Sequence, residues 1–117
     1  MIPTTLVVGA SPTAREAAIA AAAGNENGAA MILEGMPDGS ALLEHALPQA
    51  RIVRIAPGCL CCSGNLTMRV TLNRMLRARP ARLYIGLASV AHLDRIRAFL
   101  NAPPYDNLLT LTKDLQA

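Results

Sequence analysis

The chain has 117 residues and a mass of 12.3 kDa, and 52% of its residues are hydrophobic whereas only 3% are aromatic. This length suits one domain with an aliphatic core and is short for a complete nucleotide-hydrolysing enzyme. The apolar content excludes a chain that is disordered throughout. We therefore predict a single domain over residues 1–117.

The distribution of charged and apolar residues bears on whether the chain binds nucleic acids or membranes. The net charge is +3, and most of the positive charge is arginine between Arg69 and Arg97. The only aromatic residue in that stretch is Tyr84, so the bases of a nucleic acid would find no set of stacking side chains, and we interpret the arginines as solvated helix faces. No apolar run approaches the roughly 20 residues of a membrane span, and no secretion signal is recognisable. We expect a cytoplasmic protein without membrane contact.

The first predicted elements are a strand, a helix and a strand. Residues 4–8 are β-branched or apolar and predict a buried strand. Thr13 can cap an alanine-rich helix over residues 14–23, and Gly24 can end it. Residues 29–33 then predict a second strand after a polar turn.

The middle of the chain continues this alternation. Residues 34–39 contain glycine, proline and aspartate and are predicted to form a loop. Ser40 can cap a short helix that ends near Leu47. Residues 51–56 predict a third strand, which a Pro-Gly pair ends immediately before the cysteines.

The last elements are predicted as a helix over residues 65–79, a strand over 82–88, a helix over 90–100 and a strand over 108–112. Residues from Lys113 onward are polar and are expected to be loose. Alternating strands and helices favour parallel strands, because parallel neighbours need crossover connections. The predicted fold is α/β, with three layers and a mostly parallel sheet of about five strands flanked by helices.

Three cysteines lie within four positions, at Cys59, Cys61 and Cys62. No further cysteine is present to complete two disulfides, and a disulfide between adjacent cysteines is strained. Thiolates are soft ligands that suit zinc or Cu(I), and flanking glycines let a loop turn toward one centre. The alternative is a set of incidental or buried free thiols.

Three thiolates leave one coordination position of a tetrahedral metal vacant. Glu34 is the first choice for the fourth donor, and His45, His92, a second chain or water are alternatives. Each histidine is more often a surface or packing residue than a ligand. An open position suits transfer or sensing of a metal better than permanent structural support.

A strand followed by Gly-Cys-x-Cys-Cys and a helix resembles the signature of CobW-like P-loop GTPases. The resemblance covers nearly the whole chain but only about the first half of a typical GTPase domain of that family. It implies that the cysteine motif binds zinc, cobalt or a related metal. It also implies a role in metal delivery, which in that family is proposed to be controlled by GTP hydrolysis.

The loop after the first strand occupies the place of the family's P-loop, of form G-x-x-x-x-G-K-[ST]. Of these residues only Gly9 is kept. Ala14 replaces the second glycine, Arg15 replaces the lysine, and Glu16 replaces the hydroxyl that binds magnesium. Weak anion binding at the start of the first helix stays open, with Gly9, Ser11, Thr13 and Arg15 as its candidate residues.

Other family features are also missing from this sequence. The segment 85–90 resembles the family's I-E-[ST]-x-G-L pattern, but Gly86 replaces the acidic residue. No Asn-Lys-x-Asp segment for guanine recognition follows Leu111. Glu34 matches the acidic residue that follows the family's second strand. These losses argue against GTP as a ligand and against enzymatic activity.

The sequence therefore predicts a non-catalytic module that binds zinc or a similar soft divalent metal through Cys59, Cys61 and Cys62. A homodimer or a more complete CobW-like GTPase could be its partner. Two alternatives are a nucleotide- or phosphate-binding protein with an altered P-loop and weak or no GTPase activity, and a structural interaction domain that has lost both sites.

Overall fold

A computed structural model describes residues 1–24, 28–35, 42–55, 66–88 and 93–117. The strands of this part of the chain are β1 (Ile2–Val8), β2 (Ala29–Glu34), β3 (Arg51–Ile55), β4 (Arg82–Leu87), β5 (Leu109–Leu111) and β6 (Leu115–Gln116). Its helices are α1 (Pro12–Ala23), α2 (Leu42–Ala46), α3 (Leu66–Arg77) and α4 (Leu93–Leu100). One turn of 3-10 helix, Tyr105–Asn107, connects α4 to β5.

The strands form one sheet in the order β3-β2-β4-β1-β5, and β6 also pairs with β1. Every pairing is parallel. Side chains of α1 and α2 pack on one face of the sheet, and those of α3 and α4 pack on the other. The predicted three-layer α/β fold is confirmed.

The alternation of side chains along the strands builds the two cores. Leu6 and Val8 of β1 contact the core under α3 and α4, whereas Val7 between them contacts the core under α1 and α2. Successive side chains of a strand point to opposite faces, so a strand covered on both faces is apolar throughout. The low aromatic content is consistent with these cores, which consist mainly of aliphatic residues and methionines.

The first helix starts two residues earlier than the sequence predicts. Ser11, and not Thr13, is the N-cap, because the Ser11 hydroxyl accepts a hydrogen bond of 3.1 Å from the Ala14 amide. Pro12 takes the first helical position, where its missing amide hydrogen costs nothing. Gly24 ends the helix as predicted, and its amide donates to the Ala20 carbonyl.

This cap leads to a prediction. Replacing Ser11 with Ala should lower the free energy of unfolding by about 1 kcal/mol, whereas Ser11→Gly should cost only a few tenths. The reason is that Ala leaves the Ala14 amide without its hydroxyl acceptor, whereas Gly has no Cβ and leaves the amide open to water. Urea unfolding followed by circular dichroism would measure both variants. Equal stability of wild type and Ser11→Ala would contradict the assignment.

The prediction that residues from Lys113 onward are loose is wrong. Leu115 and Gln116 pair with Val7 and Val8 of β1, and the Ala117 amide donates a hydrogen bond of 2.7 Å to the Val8 carbonyl. Asp114 also accepts a hydrogen bond of 2.6 Å from Arg97 of α4. β5 is too short to pair with the full length of β1, so the free backbone groups of β1 accept a further strand.

No helix in the described ranges is long and apolar enough to cross a membrane.

Candidate functional site

The candidate residues Gly9, Arg15 and Glu34 lie at the carboxyl edge of the sheet. Because neighbouring strands are parallel, β1, β2, β3 and β4 all end at this edge, which is the usual place for ligand sites in open α/β sheets. The chain leaves β3 at Ile55 on this edge and re-enters the described structure at Leu66 of α3. The three predicted thiol ligands belong to the intervening segment, outside the described residues. His92 also lies outside the described residues, in the separate segment between Ala88 and Leu93.

Glu34 lies beside Ile55, the last described residue before the cysteine segment. It is the last residue of β2 and the register partner of Ile55, so the prediction that it belongs to a loop is wrong. Its side chain is buried, and Oε1 accepts a hydrogen bond of 2.6 Å from the Ala88 amide. The Gly35 amide donates a bond of 2.9 Å to the Ile55 carbonyl. Glu34 thus connects the ends of β2 and β4 beside the end of β3, and its role as a metal donor stays a prediction.

Arg15 is almost completely buried, with 3% of its surface exposed. Its guanidinium donates hydrogen bonds of 2.9 Å to the carbonyl oxygens of Gly9 and Glu34. Burial lowers the pKa of Arg15, and the nearby carboxylates of Glu34 and Glu16 oppose that shift. An arginine stays protonated in proteins even so. Arg15 therefore ties the end of β1 to the end of β2 by two of its donors.

The loop after β1 is closely packed against residues of the same chain. A Cβ atom on Gly9 would lie 2.6 Å from the Cβ of Ala117 and 3.1 Å from the Cγ of Arg15. Gly35 has a φ of +91°, and a Cβ there would lie 3.3 Å from the Cγ of Pro12. Both positions thus require glycine. At Gly9 the space is restricted by Ala117, whose amide bonds to the Val8 carbonyl at the carboxyl end of β1.

Among the candidate anion ligands, the Ser11 hydroxyl already accepts a hydrogen bond from the Ala14 amide, and Thr13 lies in the first turn of α1. The start of α1 therefore uses its own serine to satisfy one of the amides that would otherwise attract an anion. Binding of an anion at Gly9, Ser11, Thr13 and Arg15 stays a prediction.

Sequence reasoning missed the partner of Glu16. The buried Glu16 carboxylate forms an ion pair of 2.8 Å with Arg54 of β3, which also pairs with Glu44 of α2 at 2.5 Å. The hydrogen bonds to Glu44 and Glu16 raise the pKa of Arg54, and the bond from Arg54 lowers the pKa of Glu44. The sequence feature that could have predicted this pair is Arg54 inside an apolar strand, because a buried charge there requires a carboxylate partner.

His45 is an exposed residue of α2, as expected for a histidine on a helix surface. Within the described ranges, no group of three histidine, cysteine, aspartate or glutamate residues is arranged to hold a metal ion. The three cysteines lie outside these ranges, so the case for a metal there depends on the chemistry of the donor set. Three thiols suit a soft ion such as zinc.

The fold and the position of these residues define an α/β protein with a parallel sheet and a candidate site at its carboxyl edge. Over 67 residues, or 56% of its length, the chain is 37% identical to the zinc chaperone YeiR of Escherichia coli (strain K12). The matched region is 20% of that protein, so the chain spans about a fifth of this relative's length. No protein-family profile matches the chain, and no solved structure matches it. Over these 67 residues the chain is therefore similar to a member of the CobW family.

Proposed function

We propose that this chain binds zinc or a similar soft divalent metal through Cys59, Cys61 and Cys62, as a non-catalytic module related to CobW-like metal-handling GTPases. The observation that carries the proposal is that the cysteine segment follows directly after β3, at the edge of the sheet where such sites form. The partial similarity to a protein named as a zinc chaperone supports the same function.

The donor set would bind the metal in a form suited to transfer. Three thiolates leave one position of a tetrahedral zinc site for a further donor. Glu34 is the first candidate within this chain, ahead of His45 and His92, because its backbone pairs with Ile55 just before the cysteine segment. Water or a donor from a second chain would leave the metal more exchangeable, as delivery to another protein requires.

The loop after β1 supports binding of metal without hydrolysis of a nucleotide. The residue at the position of the P-loop lysine is Arg15, which donates to the carbonyls of Gly9 and Glu34. The residue at the position of the magnesium ligand is Glu16, which is paired with Arg54. On this proposal, any control by GTP comes from a partner, such as a more complete CobW-like GTPase.

Titration of the reduced, tag-free protein with zinc against a chromophoric chelator tests the proposal. We expect stoichiometric zinc binding and, in parallel calorimetric titrations, no tight binding of GTP with magnesium. Tight GTP binding together with weak zinc binding would favour the alternative of a nucleotide-binding protein. Absence of both would favour an interaction domain.

Zinc binding through thiolates should weaken on acidification. Protons compete with the metal for each sulfur, so the affinity should fall by up to about tenfold per pH unit for every thiol that is protonated in the free protein. The same chelator competition, repeated from neutral to mildly acid pH, would measure this slope. An affinity that does not change over that range would indicate ligands other than thiolates.

A further inference from the structure

The surface beside α3 carries a groove that the proposed metal site does not use. We call it the α3 groove, and it is lined by Arg69, Asn73, Leu76, Arg77, Arg79 and Leu108. It consists of two adjoining cavities of about 520 and 450 Å³ that share Asn73. It runs between α3 and the connection from α4 to β5.

The groove combines apolar surface with positive charge. Leu108 is 44% exposed, although most large aliphatic residues of the described chain are buried. Two prolines and Phe99 extend the apolar surface in the second cavity. No carboxylate among the described residues lines either cavity. Arg69, Arg77 and Arg79 form no ion pair within the described part of the chain.

We propose that the α3 groove binds an acidic segment of a partner protein, with an apolar side chain of that segment placed against Leu76 and Leu108. Complementary charge is the reason for an acidic occupant, because three arginines that form no ion pair with a described residue lie beside apolar surface, where they attract carboxylates and orient them. Arginine also binds carboxylates in a bidentate geometry that lysine does not offer. This inference is independent of the metal site.

The charges within the chain disfavour a second copy as the occupant. Glu16, Glu44 and Asp114 already form ion pairs with arginines, and the Glu34 carboxylate is buried. The two remaining carboxylate side chains of the described residues, Asp94 and Asp106, are exposed but lie twelve positions apart. The described part of the chain therefore offers no acidic segment to the groove of a second copy, and the proposal assigns the acidic groups to a different protein.

The aromatic residues disfavour a nucleic acid. Phe99 and Tyr105 pack on each other with ring centroids 5.0 Å apart, and the guanidinium of Arg69 lies over the Phe99 ring. The buried Tyr105 donates its hydroxyl hydrogen bond to Asn73. These rings are engaged within the protein, whereas binding of a single strand depends on exposed aromatic faces for its bases.

The test is fluorescence anisotropy with the full chain and a labelled peptide in which glutamates flank a leucine. We expect binding that weakens with added salt, because exposed charges are screened. The double variant Arg69→Gln and Arg77→Gln should bind about tenfold more weakly, since each removes one charge pair at the groove.

A matched control removes the same net charge elsewhere. Arg74 and Arg95 are exposed and do not line the groove, so Arg74→Gln with Arg95→Gln should weaken binding by less than about threefold. Leu108→Ser should weaken binding of the leucine peptide but not of a matching peptide with serine in its place. Circular dichroism would verify that each variant is folded.

Four outcomes would overturn the proposal. These are absence of peptide binding, equal weakening by the two double variants, tighter binding of a single-stranded oligonucleotide than of the peptide, and a stable dimer by light scattering that dissociates when Arg69 and Arg77 are replaced.

Discussion

Replacing Cys59, Cys61 and Cys62 together with Ser should abolish stoichiometric zinc binding. A serine hydroxyl is neither soft nor deprotonated at neutral pH, so it does not replace a thiolate as a zinc ligand. Removal of a single outer-shell partner of a metal site costs about 10- to 100-fold in affinity, and the loss of three direct ligands should exceed that. Chelator competition and metal analysis of the purified protein would measure the change.

Ser63→Ala is the matched control for the cysteine variants, because it alters a neighbouring side chain in the same segment and leaves the three sulfurs in place. It should retain the zinc affinity of the wild type. Single Cys→Ser variants should each lose a part of the affinity if all three thiolates bind one ion. Unchanged zinc content in the triple variant would remove the basis of the proposed function.

Arg54→Met should lower the free energy of unfolding by about 3–5 kcal/mol, the range for removing one partner of a buried ion pair. The side chain of Glu16 is 3% exposed and that of Arg54 is 15% exposed, so the change leaves a carboxylate charge away from water. One oxygen of Glu16 and the Nε of Arg54 have no hydrogen-bond partner in the described structure. The Glu16 carboxylate therefore already lacks one hydrogen bond before Arg54 is replaced. Urea unfolding would measure the effect.

Two controls separate the buried charge from the loss of an arginine. Arg97→Met removes an arginine from the partly exposed ion pair with Asp114 and should cost less than about 1 kcal/mol. Adding Glu16→Gln to Arg54→Met removes the uncompensated carboxylate charge, so the double variant should recover part of the lost stability. If Arg54→Met costs no more than Arg97→Met, the Glu16 pair is effectively solvated.

The order of strands and helices could be predicted from the sequence because hydrophobic periodicity and turn residues are local signals. The apolar strands, the alanine-rich helix ended by Gly24 and the helix ended before Pro80 all formed as predicted, within a few residues at their ends. The end of the third strand just before the cysteines in the sequence was also predicted, because a Pro-Gly pair is typical of a strand end.

The predictions that were wrong concern residues whose surroundings are distant in sequence. Ser11 and Thr13 are both good caps, and only the path of the chain after β1 decides between them. Glu34 is polar and precedes glycine, which favours a loop, but it extends β2 because its backbone pairs with β3 and its carboxylate accepts the Ala88 amide.

The sequence by itself determined the α/β class, and it predicts the thiol chemistry of the proposed metal site, since both depend on residue types at short spacing. Only the tertiary structure decided that Glu16 pairs with Arg54, that Arg15 is tied to the ends of two strands, and that the residues after Lys113 form a strand. Those contacts join residues far apart in the chain, and a polar residue carries no local signal for which distant partner it will meet when the sheet assembles.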